Sequence, residues 1–265
     1  MILDQIAADT RLRVEAKKKE ISLEEVKRDA QSMEKNTGFP FETALRKSDL
    51  SFICEVKKAS PSKGIIAEEF PYLQIAKEYD EAGADAISCL TEPKYFLGKD
   101  EYLKAIAKEV KIPVLRKDFV VDEYQIYEAK ILGASAVLLI CAILEEEQLK
   151  VYLQIAKELG LSALVEAHDE KEIKQAVRAG AKIIGVNNRN LKDFSVNVGN
   201  STNLRNFVPP ELLFVAESGI KGPEEIKALR KNKVDAVLIG ETMMRSPDKA
   251  KMLRFLKGEE YHEES

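Results

Sequence analysis

Several side chains stand where a chain built only for packing would not put them. Glu55 and Lys57 close the apolar run Phe52-Ile53-Cys54 two positions apart, so in an extended strand both point to one face. Lys117 ends the run Val114-Leu115-Arg116, and Glu166 ends Ser162-Ala163-Leu164-Val165. Asn187 ends Ile183-Ile184-Gly185-Val186 with Arg189 just beyond, and Ser218 closes Leu213-Phe214-Val215-Ala216-Glu217. A charge beside an apolar run is costly to bury unless it is paired. Lysines and glutamates converging from several runs would supply a proton donor and a proton acceptor, the requirements of general acid–base chemistry. Desolvation or neighbouring cations would bring a lysine down from about 10.4 toward neutrality, and a drier site would raise a glutamate toward a useful base.

A second set of residues suits an anion. Ala216-Glu217-Ser218-Gly219-Ile220 and Ile239-Gly240-Glu241-Thr242 each place a glycine just after an apolar run. Glycine lets the backbone approach an anion closely, and a helix start offers unsatisfied N–H groups. Ser60-Pro61-Ser62-Lys63-Gly64 adds a polar loop with Lys57, Lys58 and Lys63 as basic neighbours. It matches neither a P-loop nor a dinucleotide glycine loop, and no Cys-x-x-Cys or Ser–His–Asp set is evident. His168 and His262 are the two histidines, too few for a histidine-rich metal centre. His168, two residues after Glu166, reads as a structural residue of a polar loop. Cys54, Cys89 and Cys141 are far apart in or beside apolar runs, which suggests buried thiols in a reducing compartment.

The elements that must position these groups form an eightfold alternation. Apolar runs at Phe52–Lys57, Ala86–Leu90, Val114–Lys117, Ala136–Ile140, Ser162–Glu166, Ile183–Asn187, Leu213–Ser218 and Ala236–Gly240 have the near-continuous apolar character of parallel strands. Between them, Tyr72–Ala82, Glu123–Leu132, Glu170–Ala179 and Pro223–Lys231 carry apolar residues three and four apart, as amphipathic helices do. Gly83-Ala84, Gly133-Ala134 and Gly180-Ala181 recur roughly every 50 residues, with Lys233-Val234 a degenerate fourth copy. Such a period favours a closed (β/α)8 barrel over a sheet whose winding reverses once. The two glycine loops then follow strands seven and eight, a recurrent phosphate site of that architecture.

The chain of 265 residues suits one barrel domain. Residues 1–51 lie outside the alternation and read as a helical N-terminal extension: a stretch from about Leu3 to Lys19, then a helix opened by the capping box Ser22-x-x-Glu25, then a break at Gly38-Phe39-Pro40-Phe41 before another short helix. It is too short for a core of its own and should pack on the barrel, across one mouth. The apolar share is 45%, charged residues make up 32% and the net charge is −4. Mild acidity argues against broad nucleic-acid or membrane-surface binding. No stretch approaches a membrane span and no secretory leader is visible, so the cytoplasm is the expectation. Oligomeric state is not encoded legibly; a monomer is the working expectation.

Six ordered motifs resemble the indole-3-glycerol phosphate synthase family over essentially the whole chain. They are Glu55-Val56-Lys57-Lys58-Ala59-Ser60-Pro61-Ser62-Lys63-Gly64, Thr91-Glu92-Pro93-Lys94-Tyr95-Phe96, Leu115-Arg116-Lys117-Asp118-Phe119, Leu164-Val165-Glu166-Ala167-His168, Gly185-Val186-Asn187-Asn188-Arg189-Asn190-Leu191 and Ala216-Glu217-Ser218-Gly219-Ile220. The resemblance implies conversion of 1-(2-carboxyphenylamino)-1-deoxyribulose 5-phosphate to indole-3-glycerol phosphate, with loss of carbon dioxide and water and without a cofactor or metal. It implies Lys117 as general acid, Glu166 as general base, and Glu55 with Lys57 as a pair near the substrate carboxylate. It further implies Asn187, Arg189 and Ser218 as holding groups, Phe96 as an apolar wall, Ser60, Gly219, Gly240 and Glu241 as the phosphate site, and the N-terminal helices as a partial lid. Asn188-Arg189-Asn190 is a local variation that leaves Asn187 and Arg189 intact. Two other readings stay open on the residues alone: an aldolase using Lys117 as a Schiff base, and a catalytically idle phosphate-binding scaffold.

Overall fold

A computed structural model describes residues 2–189 and 194–259. Asn190 and Leu191 of the fifth motif, and His262, lie outside the described residues. The N-terminal extension comprises α1 (Ile2–Glu20), α2 (Leu23–Ser32) and α3 (Pro40–Leu45). The anticipated capping box starts α2: Ser22 Oγ accepts from the Glu25 N–H, and Glu25 accepts in return from the Ser22 N–H at 3.2 Å. Two of the four donors a helix start leaves unpaired are thereby satisfied.

Strands β1 (Ser51–Val56), β2 (Ala86–Leu90), β3 (Val114–Lys117), β4 (Ala136–Ile140), β5 (Ser162–Ala167), β6 (Ile183–Asn187), β7 (Leu213–Glu217) and β8 (Ala236–Ile239) pair in parallel and close into a barrel, β8 returning to β1. Outside them run α4 (Tyr72–Glu81), α5 (Asp100–Glu109), α6 (Tyr124–Ile131), α7 (Glu146–Glu158), α8 (Glu170–Ala179), α9 (Gly199–Leu204), α10 (Pro223–Lys231), α11 (Glu241–Arg245) and α12 (Lys249–Lys257). Ala59–Ser60 and Gly64–Ile65 make a small antiparallel hairpin after β1. Among the described residues no helix is long and apolar enough to cross a membrane.

The repeated glycines do what the turn requires. Gly83, Gly133 and Gly180 adopt φ of +82°, +88° and +92°, the left-handed stop after α4, α6 and α8. In the degenerate copy Lys233 takes the same conformation at φ +55°, with a Cβ penalty glycine avoids.

Strand parity divides the core in two. Inward-facing Ile53, Ala86, Leu115, Ala136, Leu138, Leu164, Ile183, Leu213, Val215, Ala236 and Leu238 fill the barrel, while the alternate residues pack under the helices. Phe41 and Leu45 of α3 belong to the inner cluster and plug the barrel where the strands begin. The Glu42 N–H donates to Ser162 Oγ at 3.2 Å there. The extension therefore covers both mouths, since Ile2, Leu3 and Ile6 of α1 line the cavity at the strands' other ends. The expected single crossing of one mouth is corrected: α1 and α3 are separate helices with α2 between them, and each buries apolar residues at a different end.

The three cysteines are buried, and burial raises every thiol pKa, Cys54 and Cys141 to about 12. They pack as small apolar groups.

Candidate active site

Carrying the inward parity of each strand one step beyond the aliphatic layers replaces carbon with charge. Ile53 is followed on that face by Glu55 and Lys57, Leu115 by Lys117, Leu164 by Glu166, Gly185 by Asn187 and Val215 by Glu217. These groups converge on a cavity of about 720 Å³ at the C-terminal ends of the strands. All twelve anticipated residues line it: Glu55, Lys57, Ser60, Phe96, Lys117, Glu166, Asn187, Arg189, Ser218, Gly219, Gly240 and Glu241.

Lys117 stands between two carboxylates, its Nζ 3.3 Å from Glu217 Oε2 and 3.5 Å from Glu166 Oε2. Glu217 is the residue sequence reading missed. Ser218 drew attention as the polar end of its run, yet Leu213, Val215 and Glu217 share the inward face, and that parity was the available signal. On β1, Lys57 Nζ donates to Glu55 Oε2. Gly240 is what leaves room for this pair: a Cβ at 240 would lie 2.7 Å from Lys57 Nζ and press on the Glu55 carboxylate.

The electrostatics correct the sequence expectation for both the lysine and the glutamate. Burial pulls the Lys117 pKa down, but Glu217, Glu166 and Glu55 outweigh it and raise the pKa. Burial pushes Glu166 up, yet the Lys117 ammonium and His168 hold it below the usual carboxylate range. The carboxyl driven toward neutrality is Glu217, pushed up to about 7 by burial and by the charges of Glu166 and Glu55, against the pull of Lys117. Three carboxylates around so few cations cannot all ionise cheaply, and the deepest one yields. At neutral pH, Lys117 therefore carries its proton and Glu166 lacks one, so the first can give a proton and the second can take one.

The walls differ in character. Phe96 and Phe119 lie with ring centroids 5.9 Å apart. Phe96 is fixed by the buried Glu92 carboxylate, which accepts from the N–H groups of Lys94, Tyr95 and Phe96 at 3.0, 2.6 and 3.0 Å. On the opposite side the chain leaves β7 through Ser218 at φ +67° and Gly219 at φ +83°, and a Cβ on Gly219 would sit 2.5 Å from Val196 Cγ1. Lys63 Nζ lies 3.5 Å from Glu241 Oε1, and Lys221 and Arg245 line the same side. The Asn187 side chain accepts from the Arg189 N–H at 3.0 Å, and Arg189 donates to the Phe194 carbonyl at 3.3 Å. One end of the cavity is thus aromatic, the other basic and rich in main-chain groups, with a proton-transfer cluster between.

The roof is tied on by ions. Arg13 of α1 donates to both Asp118 oxygens at 2.8 and 2.9 Å, and Lys17 pairs with Asp100 and Glu128. Asp100 and Glu128 also hold the fully buried Arg116. Asp9 accepts from Lys94 Nζ at 2.7 Å and from the Tyr95 hydroxyl at 2.5 Å. Several anchors adjoin cavity residues in sequence: Asp118 and Arg116 flank Lys117, and Tyr95 precedes Phe96, while Asp100 and Glu128 act through Arg116.

Comparison with known proteins agrees with this geometry. Among solved structures, 3-hexulose-6-phosphate synthase superposes with a TM-score of 0.64 at 15% identity, covering 80% of this chain and 100% of that one. Thiamine phosphate pyrophosphorylase from Pyrococcus furiosus gives 0.60 at 18%, covering 82% and 96%. These likenesses concern the fold alone. A protein of Ruminiclostridium cellulolyticum named indole-3-glycerol phosphate synthase is 58% identical over 258 residues, 97% of this chain and 99% of that protein. Its namesake from Endomicrobium trichonymphae is 55% identical over 257 residues, 97% and 100% of the two chains. With the family model for indole-3-glycerol phosphate synthase matching residues 3–256, the chain belongs to that family.

Proposed function

We propose that this barrel closes the indole ring of indole-3-glycerol phosphate, with Lys117 as general acid and Glu166 as general base. The observation that carries the reading is the placement of Lys117 within 3.5 Å of Glu166 and 3.3 Å of Glu217, midway between an aromatic wall and a basic, glycine-rich rim. The substrate, 1-(2-carboxyphenylamino)-1-deoxyribulose 5-phosphate, has an aryl ring at one end and a phosphate at the other, so it would lie across the cavity with its carbonyl over Lys117. Phe96 would flank the ring, and Ser60, Gly219, Gly240 and Glu241 would receive the phosphate through main-chain N–H and hydroxyl donors. Lys57, oriented by Glu55, would meet the substrate carboxylate.

Ring closure forms a carbon–carbon bond at the ribulose carbonyl, and its oxygen must gain the proton Lys117 holds. Departure of carbon dioxide leaves its bonding pair to the ring. Dehydration then needs a hydroxyl protonated as it leaves and a ring proton removed, the second being the role of Glu166. Asn187, Arg189 and Ser218 would hold the substrate and these groups in register. The changes in oxidation state balance within the substrate, so the reading requires no external oxidant or reductant. Glu217 would tune Lys117 as a carboxyl poised near neutrality beside it.

We further infer that the chain acts as one barrel domain with residues 1–51 packed on it and α1 as a partial lid, as a monomer in the cytoplasm. All the groups given roles come from one chain, so the proposed site needs no second copy to complete it. Incubation with the proposed substrate, followed by indole fluorescence, tests the function. Fluorescence without added cofactor is the expected result. A borohydride-trapped adduct on Lys117, with no indole formed, would favour the aldolase reading instead.

A further inference from the structure

Glu166 has a second neighbour that the proposed reaction leaves unused. His168 follows two residues later, and its Nε2 lies 3.3 Å from Glu166 Oε1, while Lys117 Nζ sits on the other oxygen, Oε2. The Nε2 contact is at ion-pair distance without hydrogen-bond geometry. On the far side of the ring, His168 Nδ1 meets Glu172 Oε2 at 3.0 Å, and that same oxygen accepts from the His168 backbone N–H at 2.8 Å. Glu172 is itself fixed in the first turn of α8, where its N–H donates to the N-cap Asp169 at 2.9 Å. The short β5–α8 connection thus clamps the imidazole from both sides, its main chain and ring together.

We propose that His168 is a positioning residue for Glu166: a protonated imidazole that holds one carboxylate oxygen, leaves the other aimed at Lys117, and keeps the carboxylate ionised inside the barrel. The proposal rests on the reading of Glu166 as the base. Placement supports it: Lys117 occupies the Oε2 side of Glu166, and the imidazole stands on the Oε1 side, held there by Glu172. Burial would lower the His168 pKa, but Glu166 and Glu172 raise it to about 10, so the ring is cationic across the neutral range.

Other charged and titratable groups surround this unit without duplicating it. Glu166 is faced by Lys117 from β3, by Asn187 from β6, and across the cluster by Glu217 from β7 and Glu55 from β1. His168 is faced by Glu172 in the first turn of α8, and Cys141, after β4, contacts the Glu172 carbonyl at 3.5 Å, with Asp169 also acting on that thiol. Asp4 and Arg11 of α1 line a second cavity on the outer side of Glu172. Among these described neighbours, His168 is the one cation on the Oε1 side of Glu166. A histidine that served only to pack the turn would leave the titration of Glu166 unchanged when replaced.

The test compares His168→Ala and His168→Gln with the unaltered protein, using kcat and KM over a wide pH range by indole fluorescence, with a thermal melt on each sample. The expected result is a fall in kcat of about tenfold or more with KM within about threefold. The acid limb of kcat/KM should also move to higher pH, because Glu166 loses a cation that favours its charged form. Glutamine, which can hydrogen-bond but carries no charge, should recover part of kcat and none of the limb shift. Should the alanine variant fail to fold, the glutamine variant carries the same expectation for the limb. An acid limb that stays in place in a folded variant overturns the proposal, whatever happens to the melting temperature. Glu166→Gln, measured in parallel, separates the two ideas: retained turnover there removes Glu166 as base, whereas collapsed turnover there with a normal His168→Gln removes only His168.

Discussion

Replacing Glu217 with glutamine should make the protein more stable at pH 8 and less active. Glu217 is about 1% exposed, and its pKa stands at about 7 against an ordinary glutamate value of 4.5. A carboxyl whose folded-state pKa is raised binds more protons in the folded than in the unfolded chain between those two values. Stability is therefore fully present below pH 4.5 and is lost as pH rises through about 7. The loss at pH 8 amounts to roughly 3 kcal/mol, at about 1.4 kcal/mol per tenfold change in proton affinity. Glutamine resembles the protonated acid and does not incur this loss. Glu217 Oε1 has no hydrogen-bond partner, so an amide there forfeits no bond that the carboxylate makes. A gain of about 1 to 3 kcal/mol at pH 8 is expected, worth roughly 2–12 °C in melting temperature for a chain of this size, and it should vanish near pH 4.5. Thermal melts of both proteins from pH 4.5 to 8 measure it. Turnover at pH 8 should fall, because the nearer of the two anchors of Lys117 keeps its hydrogen-bond acceptor but loses its charge. A variant less stable than the parent at pH 8 would show that Glu217 is an ionised structural partner of Lys117, and the account of the cluster's charge would be wrong.

Four further outcomes are expected. Lys117→Ala should lower turnover by about 10²–10⁴-fold while phosphate-dependent binding persists, since a general acid acts in the transition state; near-normal turnover would remove it from that role. Glu166→Gln should collapse kcat with the fold intact, because the amide keeps the size but cannot take a proton at neutral pH; a large drop in melting temperature with turnover preserved would instead mark a structural ion pair. Gly219→Val should raise KM more than it lowers kcat, because φ of +83° and the contact with Val196 both resist a side chain. A crystal grown in sulfate should show the ion on the N–H groups at Gly219 and Gly240 in the parent protein, and an anion found solely away from those loops would refute the phosphate assignment.

The eight strands and their order were legible in the sequence because each is covered on its outer face and reads as an apolar run of four to six residues. The boundaries moved by at most a residue or two, at ends such as Lys57 and Ser218, where hydrogen-bonded pairing stops before the polar pattern does. The left-handed turns were legible too, because glycine announces them, although Lys233 shows the turn forming without one. The residue types at the strand ends, the glycine loops and the capping box at Ser22 are local features, and local chemistry fixes them whatever the rest of the chain does. Their assembly into one cavity is a property of barrel closure. Which of three carboxylates holds a proton depends on distances between strands far apart in sequence, and that reversed the expected directions for Lys117 and Glu166. The role of Glu217 emerged in the same way, since a glutamate beside a polar turn is unremarkable until closure sets it 3.3 Å from Lys117. The two ends of the N-terminal extension likewise had to meet the finished barrel before α1 could roof one mouth and α3 plug the other. Sequence specifies which side chains are available and which way each strand presents them; only the closed barrel decides how strongly they feel one another, because Coulomb energy in a dry interior falls with a distance that no linear spacing encodes.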